Sequence, residues 1–229
     1  MGFAIFARKR RAKIALPILQ LQPICGALLF DLTLQQAVLR FFAMLAIISV
    51  HGLALAGAAC ALGDRGPRYD GRLRASPIAH LDLLGLAAGV FLSVGWIKPI
   101  AIDEKALRLA RVILVILAPA IALIAVIAAL RRLRPFILPL LSDSWSMWIF
   151  AWIDTLGQLG IGFALLNLLP IPPFTGSHLL ATLLPSWAHT LRRSHIYAAI
   201  IVFAIAFSGI LTRILGPLYD LIAGRMLGD

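Results

Sequence analysis

Charge is scarce in this chain. Only 14% of its 229 residues are Asp, Glu, Lys or Arg, against about one quarter in a soluble domain. With 61% apolar residues and a mean hydropathy of +0.96, an ordinary water-soluble globule is excluded. Several apolar runs reach the roughly 20 residues that cross a bilayer as a helix. Acid is scarcer still: 10 Asp and Glu stand against 21 Lys and Arg, a net charge of +11. The basic residues gather at segment ends, as in 8–13 and 131–134. Flanks of that kind set orientation in a membrane. This placement argues against nucleic acid as a partner. Cysteine is nearly absent. Cys25 and Cys60 both lie in apolar stretches, without metal-type spacing, and read as small buried hydrophobes. No clear small-residue cleavage site follows the basic start, and Gln20 and Gln22 interrupt its apolar run. The expectation is a retained, cytoplasmic N-terminus. Internal repeats and low-complexity linkers are lacking too, so 1–229 reads as one helical membrane domain.

What is there falls into apolar segments. Residues 14–30 are apolar but short and hold Pro17 and Pro23; they suit a first span or an interfacial segment. Asp31 and Thr33 are available as caps for a helix that starts next. Residues 38–62 predict a transmembrane helix with His51 near its middle. Residues 63–80 form a polar loop with four Arg against two Asp. Residues 81–100 are apolar, glycine-rich and short for a span. Residues 106–130 and 145–169 predict two more spans, the latter with Trp145, Trp148 and Trp152 at its interfacial end. Residues 196–215 predict the last span, with a short helical tail to Asp229.

Two features inside these segments carry possible chemistry. Ionisable groups at membrane depth are costly and default to functional candidates. His51 is one, although a neutral His bonded within the bundle explains it as well. Asp154 is another, with Gln158 one turn later on the same face. That pair suits a proton or ion relay, or an Asp near the interface beside the Trp cluster. The second feature is the stretch NLLPIPPFTGSH at 167–178, where Pro170, Pro172 and Pro173 end a long apolar run. Proline fixes φ and removes a backbone donor, so no regular helix continues. At membrane depth the freed backbone groups need protein or a wet cavity. A site is expected here, with Asn167, Pro170, Pro172, Pro173 and His178 as groove candidates.

Three stretches resemble the site-2 protease family of intramembrane zinc metalloproteases, and most closely its short bacterial members without a PDZ domain. VHGLALA at 50–56, followed by LGD at 62–64, stands where the family has HExxH and an LGDPT-like turn. GRL at 71–73, SPIAHLD at 76–82 and GWIKPI at 95–100 match GRLTLNPLKHIDP…GWAKPV. NLLPIPPFTGSH matches NLLPIPPLDGGH. Together they cover about residues 40–180. The resemblance implies a site-2-protease-like bundle of about four to six transmembrane helices, with a core over 38–180 and a C-terminal helix and tail over 196–229. It also implies a re-entrant 81–100, with His51 and Thr175 at one depth. His80 and Asp82 match loop positions, and Asn167 matches an Asn that in relatives helps hold a substrate strand.

The departures fall on the chemistry. In HExxH the two His at i and i+4 bind Zn²⁺ and the Glu activates its water. Here His51 is kept, but Gly52 replaces the Glu, Leu55 replaces the second His, and Thr175 replaces the Asp that is the third ligand. A catalytic zinc site uses three protein ligands. The resulting expectation is a protein without catalytic residues, metal or cofactor. It would act as a scaffold or accessory subunit in the bacterial cytoplasmic (inner) membrane, binding partner transmembrane helices, lipids or a larger membrane complex. The alternatives are an active zinc protease with substitute ligands and a proton- or ion-handling transporter.

Overall fold

The structure is a computed structural model that describes residues 32–227, with the backbone alone at 105, 138, 192 and 212. The basic stretch 8–13, the segment 14–30, Cys25 and Asp31 lie outside the described residues. Among those described, every regular element is helical. The helices are α1 (Leu34–Ala61), α2 (Gly66–Tyr69), α3 (Pro77–His80), α4 (Leu83–Leu92), α5 (Glu104–Ile137), α6 (Asp143–Asn167), α7 (Ser177–Leu183), α8 (Ala188–Arg193), α9 (His195–Phe207) and α10 (Ile210–Met226). Helices α1, α6 and residues 106–137 of α5 are long and apolar enough to cross a membrane. The protein is therefore an all-helical membrane protein.

Local chemistry explains where these helices begin and end. Thr33 opens α1 with a capping box: its hydroxyl accepts from the Gln36 amide, and the Gln36 side chain accepts from the Thr33 amide. Asp82 opens α4 by accepting from the Gly85 amide at 2.8 Å. α4 runs for 10 residues, about 15 Å at 1.5 Å per residue, which is half of a bilayer core. It ends at Ser93 in the left-handed region, and no regular element occupies 94–103. The stretch 81–100 therefore does not cross as a helix. The expected span over 196–215 is not continuous either. α9 stops at Phe207, and Gly209 turns the chain at φ 73. Glycine meets no steric penalty there, so α10 starts in a new direction.

α1, α5 and α6 pack on one another around Ile47, Leu55, Val112, Leu123, Ile127, Ile161 and Phe163. A second cluster joins Trp96, Phe174, Leu166, Ala199 and Val202. It ties the segment after α4 to the proline-rich loop and α9. Large apolar side chains such as Phe42, Leu114, Ile121 and Ile200 remain exposed, as expected where the surrounding solvent is lipid.

Asp154 does not stand free on α6. Its two oxygens take Arg131 at 2.7 Å and Arg134 at 3.0 Å, both from α5. Arg131 also donates to the Leu227 carbonyl, and Arg134 lies over the Phe150 ring at 3.6 Å. Asp154 is thus the centre of an ion-paired clamp between α5, α6 and the end of α10. Gln158 is only half-buried. Asp154, offered by the sequence for a relay or an interfacial Asp, is ion-paired to two arginines in the structure.

Candidate functional site

The proline-rich loop is closed by backbone. α6 ends at Asn167, and the Gly176 amide donates back to the Asn167 carbonyl at 2.8 Å. A Cβ at 176 would run into the carbonyl oxygens of Leu168 and Leu169, so only glycine permits this closure. Phe174 is fully buried and meets Trp96 edge-on, with ring centroids 6.4 Å apart. These two anchors aim Thr175 at α1. Of the groove candidates, Pro173 is buried, Pro172 half-buried and Pro170 exposed.

Thr175 meets His51, 124 residues earlier in the sequence, with Oγ1 at 3.0 Å from Nε2. Thr175 Oγ1 also lies 3.4 Å from Asn167 Oδ1. The Asn167 amide nitrogen donates to the carbonyls of Phe163 at 2.9 Å and Gly95 at 3.2 Å. His51, Thr175 and Asn167 are all buried, and the Phe163 ring stands edge-on to His51 at 5.1 Å. The protons can be placed by their partners. Asn167 Oδ1 only accepts, so the Thr175 hydroxyl donates to it. His51 Nε2–H then donates to Thr175 Oγ1. The opposite tautomer would leave a donor stranded at Nδ1, which is buried without a partner.

This network gives Thr175 a measurable weight. Thr175→Ala strands the His51 N–H and the Asn167 oxygen, and should cost about 1–3 kcal/mol. Thr175→Ser keeps the hydroxyl and should recover most of that loss. Unfolding of both variants in detergent checks it; equal losses would show that the hydroxyl is not the cause.

Position 52 holds a second imidazole. His80, at the end of α3, is fully buried, and a Cβ on Gly52 would collide with Cγ and Nδ1 of its ring. Gly52 thus leaves the space in which the His80 ring sits. His80 Nε2 lies 3.1 Å from the Arg74 carbonyl. A carbonyl only accepts, so this nitrogen carries the proton. Burial pushes the His80 pKa below its ordinary value, the Arg74 carbonyl pulls it upward, and the Arg72 charge adds to the lowering. The polar loop is pinned around it. Arg72 donates to the carbonyls of Ala79 and Pro99, and the Lys98 amide donates to the His80 carbonyl at 2.8 Å. Asp64 accepts from the amides of Gly66 and Asp103, each at 2.8 Å. In sequence His80 reads as loop structure. Its match to the family loop is the only signal there, and it says nothing of burial against α1.

The remaining expected residues lie apart from this point. Leu55 is buried in the apolar core. His178 turns to the start of α5 and pairs with Glu104 at 3.0 Å. Beside that pair is a cavity of about 1020 Å³, lined in part by Asp64, Asp103, Glu104 and His189 and in part by apolar residues such as Ile102 and Ala181. Among the described residues, no three His, Cys, Asp or Glu side chains converge as metal ligands. The residues present therefore do not fit a three-ligand zinc site at the family positions.

One comparison bears on the chemistry. Over 187 residues the chain is 28% identical to a Bacillus subtilis (strain 168) protein named "Putative zinc metalloprotease YwhC". The match covers 77% of this chain and 83% of that protein. No protein-family profile matches, and no solved structure matches. The relative is consistent with a site-2-protease-like family. It also corrects the expectation of a protein that does no chemistry, which rested on Gly52, Leu55 and Thr175: the named relative points to an enzyme. It lends no support to the scaffold or accessory role.

Proposed function

We propose that this protein is an intramembrane protease of the site-2 type, acting on membrane-inserted polypeptides at the junction of His51, Thr175 and Asn167. The observation that carries the reading is the meeting of His51 and Thr175 at 3.0 Å across 124 residues, in a chain similar over most of its length to a named metalloprotease. Hydrolysis of a peptide bond inside a bilayer needs a polar point where an amide can bind and water can enter, surrounded by apolar walls. The junction supplies the polar groups and the apolar walls: three buried polar side chains between Phe163 and Phe174, at the end of a helix that prolines have broken, which a substrate would have to open.

This chain's residues have separate tasks in the proposal. Asn167 holds the broken end of α6 through the Phe163 and Gly95 carbonyls. The exposed Pro170 and Ile171 offer a loop edge beside which an unwound substrate segment can lie. His51 Nε2–H and the Thr175 hydroxyl, which bond to Thr175 and Asn167 in the structure, must exchange those partners to orient an amide carbonyl. The substrate is a partner's transmembrane segment, opened to an extended form before it reaches the loop.

The test is cleavage of single-span reporter peptides by the full chain reconstituted in liposomes. The expected result is a product cut within the span, reduced at least tenfold in His51→Ala and in Asn167→Ala. Absence of product from the wild-type protein, or an equal yield from His51→Ala, would sink the reading.

A further inference from the structure

We infer that the groove between α1 and α4 holds one acyl chain of an anionic phospholipid, whose phosphate pairs with Arg40. The groove lies apart from the junction of His51 and Thr175, and the inference does not depend on proteolysis.

The first observation is the state of Arg40. It stands in the second turn of α1, an apolar membrane helix, where a cation is costly unless it is paired. Among the described residues no carboxylate pairs with it. One guanidinium nitrogen donates to the Val90 carbonyl at 3.1 Å. A guanidinium carries five N–H donors, and those left over are not sealed off by protein. From Arg40 to the polar loop after Ala61, α1 measures about 30 Å at 1.5 Å per residue, one hydrocarbon thickness. With that loop at one surface of the bilayer, a half-buried Arg40 reaches headgroup level at the other.

The second observation is the groove itself. Val90, whose carbonyl takes Arg40, also lines it, together with Ala37, Phe41, Phe42, Leu83 and Phe91. Its volume is about 410 Å³ and every lining residue is apolar. Phe41, Phe42, Leu83 and Phe91 are exposed there.

Size and charge select the occupant. A helix about 10 Å across takes roughly 400 Å³ per turn, so the groove has room for one turn of a partner and not for its span. An acyl chain is a single file of methylenes and fits. A purely apolar molecule would leave Arg40 unpaired, and a zwitterionic lipid brings its own cation to the phosphate. An anionic phospholipid supplies both parts: a phosphate that matches the guanidinium fork and a chain for the groove. Its occupancy holds α4 on α1. The Met44 side chain of α1 fills the room left by Gly89 and Gly95, and the Gly95 carbonyl accepts from Asn167. A lipid that steadies α4 therefore steadies the segment that anchors Asn167.

The full chain, stripped of lipid in a neutral detergent, is titrated with phosphatidylglycerol, phosphatidylcholine or inorganic phosphate while its unfolding temperature is followed. The expected result is a saturating rise with phosphatidylglycerol, at least tenfold weaker binding of phosphatidylcholine, and no rise with phosphate alone. Arg40→Gln removes the charge and Ala87→Trp fills the groove; each should weaken phosphatidylglycerol about tenfold, one lost charged or apolar contact. Arg193→Gln, an exposed cation on α8, should leave it unchanged. An equal response to the two lipids, or undiminished binding in Arg40→Gln, overturns the site, and a full response to inorganic phosphate overturns the acyl chain. A photoreactive residue in place of the exposed Phe42, activated in native membranes, guards against variants that do not fold. A phospholipid adduct is expected there; an adduct to a second copy of the chain or to another polypeptide overturns the inference.

Discussion

Replacing Asp154 with Ala should lower the unfolding free energy by about 3–5 kcal/mol, the cost of breaking a buried ion pair by removing one partner. The carboxylate serves two guanidinium groups at once, and the side chains of Arg131, Arg134 and Asp154 are only 18%, 13% and 12% exposed. Without it, two cations face each other at the junction of α5 and α6, where little water can reach them. Asp154→Asn keeps the shape and hydrogen-bonding capacity but not the charge, so its loss should be smaller. Thermal or dodecyl-sulfate unfolding of the purified variants reads the difference. Removing Arg131 and Arg134 together with Asp154 should cost less than the single carboxylate does, because no unpaired charge remains. A change below about 0.5 kcal/mol in Asp154→Ala would place the pair with ordinary surface ion pairs.

The second large effect is expected from Gly176→Val. Overpacking of a filled site typically costs about 1–3 kcal/mol, and this case should fall at the upper end. The obstructing atoms are the backbone oxygens of Leu168 and Leu169, which cannot turn aside as a side chain can. Relief requires the loop to open, and opening breaks the Gly176–Asn167 hydrogen bond and moves Thr175 away from His51. Loss of stability and loss of any peptide cleavage should therefore appear together. Gly57→Ala is the control: its Cβ meets nothing within 4 Å, and a helical Gly→Ala change at a compatible position gains about 0.4–1 kcal/mol. If the two variants unfold alike, the tight closure of the loop is wrong.

Much of the fold was legible from composition and breaks alone. A chain this poor in charge had to bury its backbone polar groups in helices, and α1, α5 and α6 lie within a few residues of the apolar runs that announced them. The helix end at Asn167 followed from three prolines, and the start of α1 followed from the Thr33 cap. The run over 196–215 misled because hydropathy averages across a single Gly209 and cannot register a reversal of φ. For Asp154 the spacing to Gln158 suggested a local face, whereas its partners, 20 and 23 residues away, come from another helix.

The site divides in the same way. Sequence by itself determined that this is a helical membrane protein and that a proline-broken helix makes a loop. Those facts depend on residue type and spacing, which the chain states directly; the expectation at Gly52, Leu55 and Thr175 came from resemblance alone. Only the tertiary structure decided what faces what. It set Thr175 on His51, tied His178 to Glu104, and pressed His80 into the space above Gly52. None of these is a local preference. Each follows from packing elements distant in the chain around one buried core, where a missing side chain on one helix becomes room for an imidazole from another.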